Sequence, residues 1–404
     1  MKFSKLSQLF LVSAIGLVAA TLLSSCNIVT IDYLFVASSQ GSGAGSSGQI
    51  ETYDMDEGTG ALRPGQPAVS SGGSSPVSMA VTSDFQNLYV ANQGNNSVAH
   101  FAVGGDGVLT SKDTVTLGAT PVAIAANAAN SYLFVVSGTT SAELAVYPLS
   151  SGAIGSVAAQ TALTLPAGFA TDTIVPTGVA VLANNNAVYV TAYDQSAYNP
   201  GGAVTSSANP GWVFGFTVGS GGALTPAAGS PWKAGIKPTA IVADPTNRFV
   251  YVTDFASNQM IGYTIQDGSI LDFLINGPFS TGSEPSAIVI DPRGKYIYVA
   301  NALSSSVSSY SIDLVTGTPA ASVNVVGSPI NGTDTEPVAI LVDAALGRYV
   351  FTANYLGNSV SGFELNPDTG ALTPNQASPY PVGNHPSALI SVPHGNHATQ
   401  SVTP

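Results

Sequence analysis

The stretch DPRGKYIYVAN, residues 291–301, holds an Asp, two basic residues, two tyrosines and an Asn, enough polar chemistry for a site. Yet RFVYVTD occurs at 248–254, RYVFTAN at 348–354 and NLYVAN at 87–92. A catalytic centre occurs once in a chain, whereas a building unit recurs. Asp-Pro followed by Gly or Asn is turn chemistry, because the carboxylate accepts local backbone N–H groups and Pro presets φ. Asp291 to Lys295, Asp244 to Arg248 and Asp343 to Arg348 are therefore predicted to be turns between strands, with Arg248, Arg293 and Arg348 spread over one face.

The repeat extends outward from these turns. Upstream lies Pro, a variable residue, a small residue and an apolar run: PVSMAV from Pro76, PVAIAA from Pro121, PTGVAV from Pro176, PTAIVA from Pro238, PSAIVI from Pro285, PVAILV from Pro337 and PSALIS from Pro386. The prolines are spaced by 45, 55, 62, 47, 52 and 49 residues. Downstream come aromatic, β-branched runs, NLYVAN, YLFVVS, AVYVTA, FVYVTD, YIYVAN and YVFTAN, with a seventh, YLFVAS, near the N-terminus at 33–38. A third run follows, as in SVAHFAV at 97–103 and SVSGFEL at 359–365. Short Val/Ile/Tyr/Phe runs bounded by Gly, Pro, Asn and Asp read as strands, and no amphipathic helical period persists.

A unit of this length with three or four short strands is a propeller blade. The small residue follows from geometry, since innermost strands converge on the axis and a large side chain would strike the next blade. Seven inner strands, the last at 386–392, match seven aromatic strands, the first at 33–38. The expected fold is all-β: a seven-bladed β-propeller of four-stranded blades, closed by pairing the N- and C-terminal strands. The YVAN/YVTD runs and Pro-x-Ala inner strands resemble the seven-bladed lactonase and YVTN-repeat propeller family. That resemblance implies 6-phosphogluconolactonases and carboxymuconate cyclases as enzymatic relatives. It also implies basic or His residues just after the inner-strand Pro, where this chain has Val77, Val122, Thr177, Thr239, Ser286, Val338 and Ser387.

The 404 residues are 45% hydrophobic and only 8% charged, enough apolar content for a large core, and the 43 Gly and 26 Pro suit many turns. Residues 1–25 read as a lipoprotein signal peptide: Lys2 and Lys5, an apolar run from Leu9 to Leu23, then Leu-Ser-Ser before Cys26. That stretch resembles the bacterial lipobox, which makes Cys26, the only cysteine, the expected lipidation site. Asn27 rather than Asp after the cysteine favours the outer membrane over inner-membrane retention. The organisation expected is signal peptide 1–25, propeller 26–392 and polar tail 393–404. Removing Lys2 and Lys5 from the ten basic residues leaves eight against 23 acidic ones, a mature net charge of −15. Such a field repels polyanions, so nucleic acid and phosphorylated metabolites are poor partners.

Function belongs at the mouth opposite the predicted turns, where blade-to-blade loops gather. The residues just before each inner-strand Pro are Ser75, Thr120, Val175, Lys237, Glu284, Glu336 and His385, the last four in consecutive blades. Two carboxylates with a Lys and a His can move protons. Glu284, Glu336 and His385 are the candidate catalytic residues. Lys237, Asp254, Asn301, Asn354, Tyr193 and Asp194 are the candidate ligand-binding residues, with Asn92 in the equivalent second-strand position. The insertion YDQSAYNPGGAVTSSANPG, 193–211, adds Tyr198 over this face, while SSQGSGAGSSGQ, 38–49, reads as a flexible loop. His394 and His397 fall in the polar tail, His100 reads as a structural side chain, and Trp212 and Trp232 read as packing residues. No Gly-x-Ser-x-Gly, Walker or His-Glu-x-x-His motif occurs, and no metal or other cofactor is expected.

Two functions fit. The first is a monomeric, non-enzymatic binding protein, held to the membrane through Cys26 and presenting its mouth to a protein, a glycan or a small neutral ligand. The alternative is a lactone hydrolase acting on an extracytoplasmic lactone, with Glu284, Glu336 and His385 handling water.

Overall fold

The computed structural model describes residues 29–39, 47–138, 142–166, 173–195, 211–321 and 330–395. Tyr198, His397, Cys26 and the signal segment lie outside them. Seven antiparallel sheets form, each meeting the next through its innermost strand. Blade I comprises Pro76–Val81, Asn87–Asn92, Ser97–Val103 and Leu109–Thr116 from axis to rim. In blades II to VI the inner strands are Pro121–Ala126, Ile174–Val181, Pro238–Ala243, Pro285–Ile290 and Pro337–Val342, and the outermost strand is broken into two pieces. The chain is a seven-bladed β-propeller.

Blade VII takes its inner strand from the C-terminus, Asn384–Pro393, and its second and third strands, Thr30–Ser39 and Ser47–Asp56, from the N-terminus. The register runs from Asp32 opposite Pro393 through Ala37 opposite Ala388 to Ser39 opposite Asn384. Joining the chain ends in one sheet leaves no open seam between the first and last blades. The inner strand runs one residue beyond the expected 392. His394 is also seated rather than lying in a free tail: its N–H donates to Ile31 O at 2.7 Å, and its ring meets Tyr33 edge-on at 5.3 Å.

The repeated residues are the ones that join blades. In NLYVAN, AVYVTA, FVYVTD and YIYVAN the tyrosine is fully buried, and its hydroxyl donates to a carbonyl in the next blade's outer turn: Tyr89 to Gly152, Tyr189 to Ser269, Tyr251 to Gly317 and Tyr298 to Gly370, at 2.6–3.0 Å. Each therefore fills the blade interface and satisfies its own polar tip. Asp244, Asp291 and Asp343 are buried and accept backbone N–H groups of their own turns. Asp291 Oδ1 takes Lys295 N and Tyr296 N at 2.7 Å, and Asp343 takes four, from Leu346, Gly347, Arg348 and Tyr349. The stretch 291–301 is a hinge and a bolt.

Convergence at the axis explains the small residue after each Pro. A Cβ on Gly178 would lie 3.0 Å from Thr191 Oγ1, 3.3 Å from Ile241 and 3.5 Å from the Ala240 backbone of blade IV. His100 is structural, bridging Asp113 at 2.5 Å and Asn87 at 2.9 Å from within the third strand of blade I. Trp212 is buried, and half-buried Trp232 packs near Tyr189 with ring centroids 6.4 Å apart.

Candidate functional site

All seven inner strands run the same way, so the residues preceding their prolines gather at one mouth. Lys237, Glu284, Glu336 and His385 stand at the starts of four successive inner strands, whose pairs pack side by side around the axis. Each is half-buried. Ser75, Thr120 and Val175 complete the ring with neutral side chains.

Local backbone geometry sets these residues. Glu284, Glu336 and His385 have φ of 56°, 58° and 52°, a left-handed conformation unusual for residues with a Cβ. Ser75 shares it at 49°, so the conformation belongs to the repeat. The preceding blade helps hold it: Asn258 Oδ1 accepts Glu284 N and Asn358 Oδ1 accepts His385 N, both at 2.8 Å. The carbonyls of three of these pre-proline residues accept the N–H that follows their own second strands: Phe255 on Lys237 at 2.9 Å, and Ala302 on Glu284 and Tyr355 on Glu336, both at 2.8 Å.

In six blades the register slips between the Pro and the second residue after it, a bulge that turns the intervening side chain sideways. Thr239 Oγ1 donates to Pro285 O at 2.7 Å and Ser286 Oγ to Pro337 O at 2.6 Å; in blade VII, Ser387 Oγ donates to Pro76 O at 2.6 Å. The family's expected positions for basic side chains therefore hold here a belt of neutral groups, part of which stitches inner strands together.

The structure separates the candidate ligand groups. Asp254, Asn301 and Asn354 end second strands on the mouth side, as expected, but they are fully buried and serve the scaffold. Asp254 accepts Lys237 N at 3.0 Å, Ile236 N at 3.1 Å and Gln259 Nε2 at 3.0 Å. Asn354 Nδ2 donates to Ser359 and Ser361, both at 3.0 Å, and Asn301 Nδ2 reaches Ser308 Oγ at 3.0 Å. Asn92 likewise ties down Ser71, accepting from its hydroxyl at 2.6 Å. Asp194 is buried at the end of its strand, and Tyr193 keeps a half-buried ring. The reason is common to Asp254, Asn301 and Asn354: each hydrogen-bonds the segments beside it in its own blade, and that templating buries the polar side chain.

Lys237 is the electrostatic centre of what remains. Its Nζ lies 4.1 Å from the centroid of the Phe255 ring and 5.9 Å from that of Tyr193. Burial lowers its pKa below the ordinary lysine range, and the negative charge of Glu284 acts in the opposite direction. His385 rests on Tyr355 with centroids 4.6 Å apart and rings 30° from parallel. Phe255 and Tyr355 were missed by sequence reasoning. Their signal is positional, an aromatic directly after the Asp or Asn ending a second strand, and it is hidden because blades I, II and V place Gln93, Gly138 and Ala302 there. Among the described residues no group of three or more His, Cys, Asp or Glu is arranged to hold a metal ion.

This wheel of seven sheets, closed by its two chain ends, is the architecture of a particular class, the seven-bladed lactonase-type propellers. The family model described as lactonase, seven-bladed beta-propeller, matches residues 34–195 and 222–333, and the chain belongs to that family. Among solved structures it is similar to a periplasmic gluconolactonase of Pseudomonas aeruginosa, at 17% identity and TM-score 0.73 over 90% of this chain and 99% of that one. It is also similar to a Bacteroides fragilis protein whose name assigns it provisionally to the 6-phosphogluconolactonases, at 19% identity and TM-score 0.70 over 91% and 99%. A Lactobacillus plantarum protein matches at 14% identity and TM-score 0.71 over 90% and 100%. At these identities the likeness establishes the fold. No curated protein matches.

Proposed function

We propose that the protein is a lactone hydrolase that opens a neutral, non-phosphorylated lactone at its mouth. The observation that carries this is the gathering of Lys237, Glu284, Glu336 and His385 on adjacent inner strands of a lactonase-family wheel. Family membership puts hydrolysis ahead of the purely binding role. One of Glu284, Glu336 and His385 takes a proton from water as its oxygen adds to the lactone carbonyl, and the Lys237 ammonium stabilises the developing oxyanion. The ring C–O bond then breaks, and its oxygen receives the proton held by the base, giving a hydroxy acid. Phe255, Tyr193 and Tyr355 supply flat apolar surface to a ring-shaped substrate. A phosphorylated lactone fits poorly, because Lys237 is the single cation of the pre-proline ring and the bulged positions are neutral.

The test is hydrolysis of a panel of sugar and aliphatic lactones by the mature protein and by a Glu284→Gln, Glu336→Gln, His385→Ala variant. Turnover lost in the variant supports the reading; saturable binding without turnover on any lactone returns the protein to the binding class. The mature chain is further proposed to be exported and anchored through acylated Cys26, as its signal segment suggests. Palmitate labelling that disappears in Cys26→Ser tests this.

A further inference from the structure

We infer that the hairpin face of the wheel, the one opposite the mouth, lies against the membrane, and that the mouth looks away from it. This rests on the anchoring of Cys26 proposed above. Thr30 opens its strand opposite Asp56, and Val29 O accepts Glu57 N at 2.9 Å in the turn between the third and fourth strands of blade VII. The other end of that strand, Ser39, pairs with Asn384 beside the mouth. The chain therefore enters from the hairpin face, one strand out from the axis.

Cys26 precedes Val29 by three residues, a reach of about 10 Å at full extension. The ten residues of Thr30–Ser39 carry the mouth roughly 30 Å farther. Two more strands of blade VII, about 10 Å of sheet plus side chains, separate the entry point from the rim. An acyl chain on so short a tether cannot bring the mouth to the bilayer, and the face nearest to it is the hairpin face.

That face also carries an apolar tip. Leu314 and Val315 are 46% and 86% exposed in the Asp313–Thr318 turn of blade V, where the Leu314 carbonyl accepts a hydrogen bond from Arg248 Nη1 at 2.5 Å. Flat docking buries this tip. Charge does not choose the lipid, because Arg248, Arg293, Lys295 and Arg348 share the face with exposed acids at the outer turns, Glu57, Asp267, Asp313 and Asp368. The partner is a zwitterionic bilayer surface, held by acyl insertion and apolar contact. A mouth roughly 30 Å above the headgroups draws its substrate from water, which makes it a soluble lactone rather than a membrane-dissolved one.

The test couples the mature chain through Cys26, its only cysteine, to maleimide-lipid vesicles of phosphatidylcholine and phosphatidylethanolamine containing brominated acyl chains. Val315→Trp and Leu303→Trp, the latter 68% exposed in a turn on the mouth side, report proximity by fluorescence quenching above the Trp212 and Trp232 background. Loss of emission from position 315, none from 303, and no change in high salt is the expected result. Equal quenching at both positions, or stronger quenching at 303, overturns the orientation whatever happens at Cys26. Absence of palmitate on Cys26 in cells removes the anchor, and the membrane placement with it, while leaving the lactone assay to judge the mouth separately.

Discussion

Asp32 and Asp343 are both buried where the closing blade meets blade VI, close enough for the Asp343 charge to act on Asp32. Burial raises the Asp343 pKa, and the four backbone N–H groups that it accepts act in the opposite direction. Asp32 receives one, from Ala345 at 3.2 Å, and its Oδ1 has no partner as a bare carboxylate. Protonation removes the charge from the Asp32 carboxyl and gives it a hydrogen-bond donor. Burial first, and the Asp343 charge second, raise the Asp32 pKa well above the usual carboxylate range.

The sign of the pH dependence follows. A carboxyl whose folded pKa is raised contributes its full stability below the ordinary Asp range, and that contribution is lost as pH rises through the raised value. Asp32→Asn keeps a donor without a titrating charge. It is expected to flatten the decline in unfolding midpoint toward alkaline pH and to be more stable than wild type at pH 8. Asp32→Ala should cost about 1.5–3 kcal/mol at pH 5, the usual worth of a charge-assisted hydrogen bond. Denaturant melts of the three proteins across pH measure both, and a variant no more stable than wild type at pH 8 argues against the raised Asp32 pKa.

Lys237 gives a kinetic prediction. If its ammonium stabilises the oxyanion, lactone turnover should fall on the alkaline side at a pH below the ordinary lysine range, because burial lowers its pKa. Lys237→Met should lose at least about tenfold in kcat/KM, the effect of roughly 1.4 kcal/mol of transition-state stabilisation. Lys237→Arg should move the alkaline limb out of reach. An unchanged profile in Lys237→Arg assigns the limb to another group.

The left-handed backbone of Glu284 and Glu336 predicts opposite effects on stability and activity. Glycine adopts this conformation freely, so Glu284→Gly and Glu336→Gly should leave the unfolding midpoint unchanged or raise it, by up to about 1 kcal/mol. The same changes should depress turnover. A clear loss of stability would mean that these carboxylates hold the mouth together rather than serving chemistry.

Convergence at the axis is tested at Gly178. Gly178→Leu drives a side chain into Ile241 and Thr191. It should destabilise by at least about 1–3 kcal/mol, the range for overpacking a tight core. The same leucine at the exposed Gly105, with no atom within 4 Å of its would-be Cβ, should be nearly neutral. Equal effects at the two positions would argue against a crowded inner ring.

Most of the architecture was legible in the chain. The Pro-x-small spacing, the aromatic runs and the unmatched strands at the two ends set the blade count and the closure, because these features are local or depend only on strand order. The turn role of Asp244, Asp291 and Asp343 was equally legible, since an Asp-initiated turn satisfies its own N–H groups within a few residues. The candidate site was half legible. Position on the inner strand brought Lys237, Glu284, Glu336 and His385 to one mouth, but Asp254, Asn301 and Asn354 proved to be buried.

What the amino-acid order determined, then, was which residues build a blade and which are left over at the mouth. Periodicity and turn chemistry act over neighbouring residues and survive in a linear string. What only the folded wheel decided was exposure and pairing: the burial of the second-strand amides and of Asp254, the left-handed seats of Glu284, Glu336 and His385, the aromatic floor of Phe255 and Tyr355, and the meeting of Asp32 with Asp343. Those depend on how one blade lies on the next, across separations of up to about three hundred residues, where burial rather than sequence neighbourhood sets each group's chemistry.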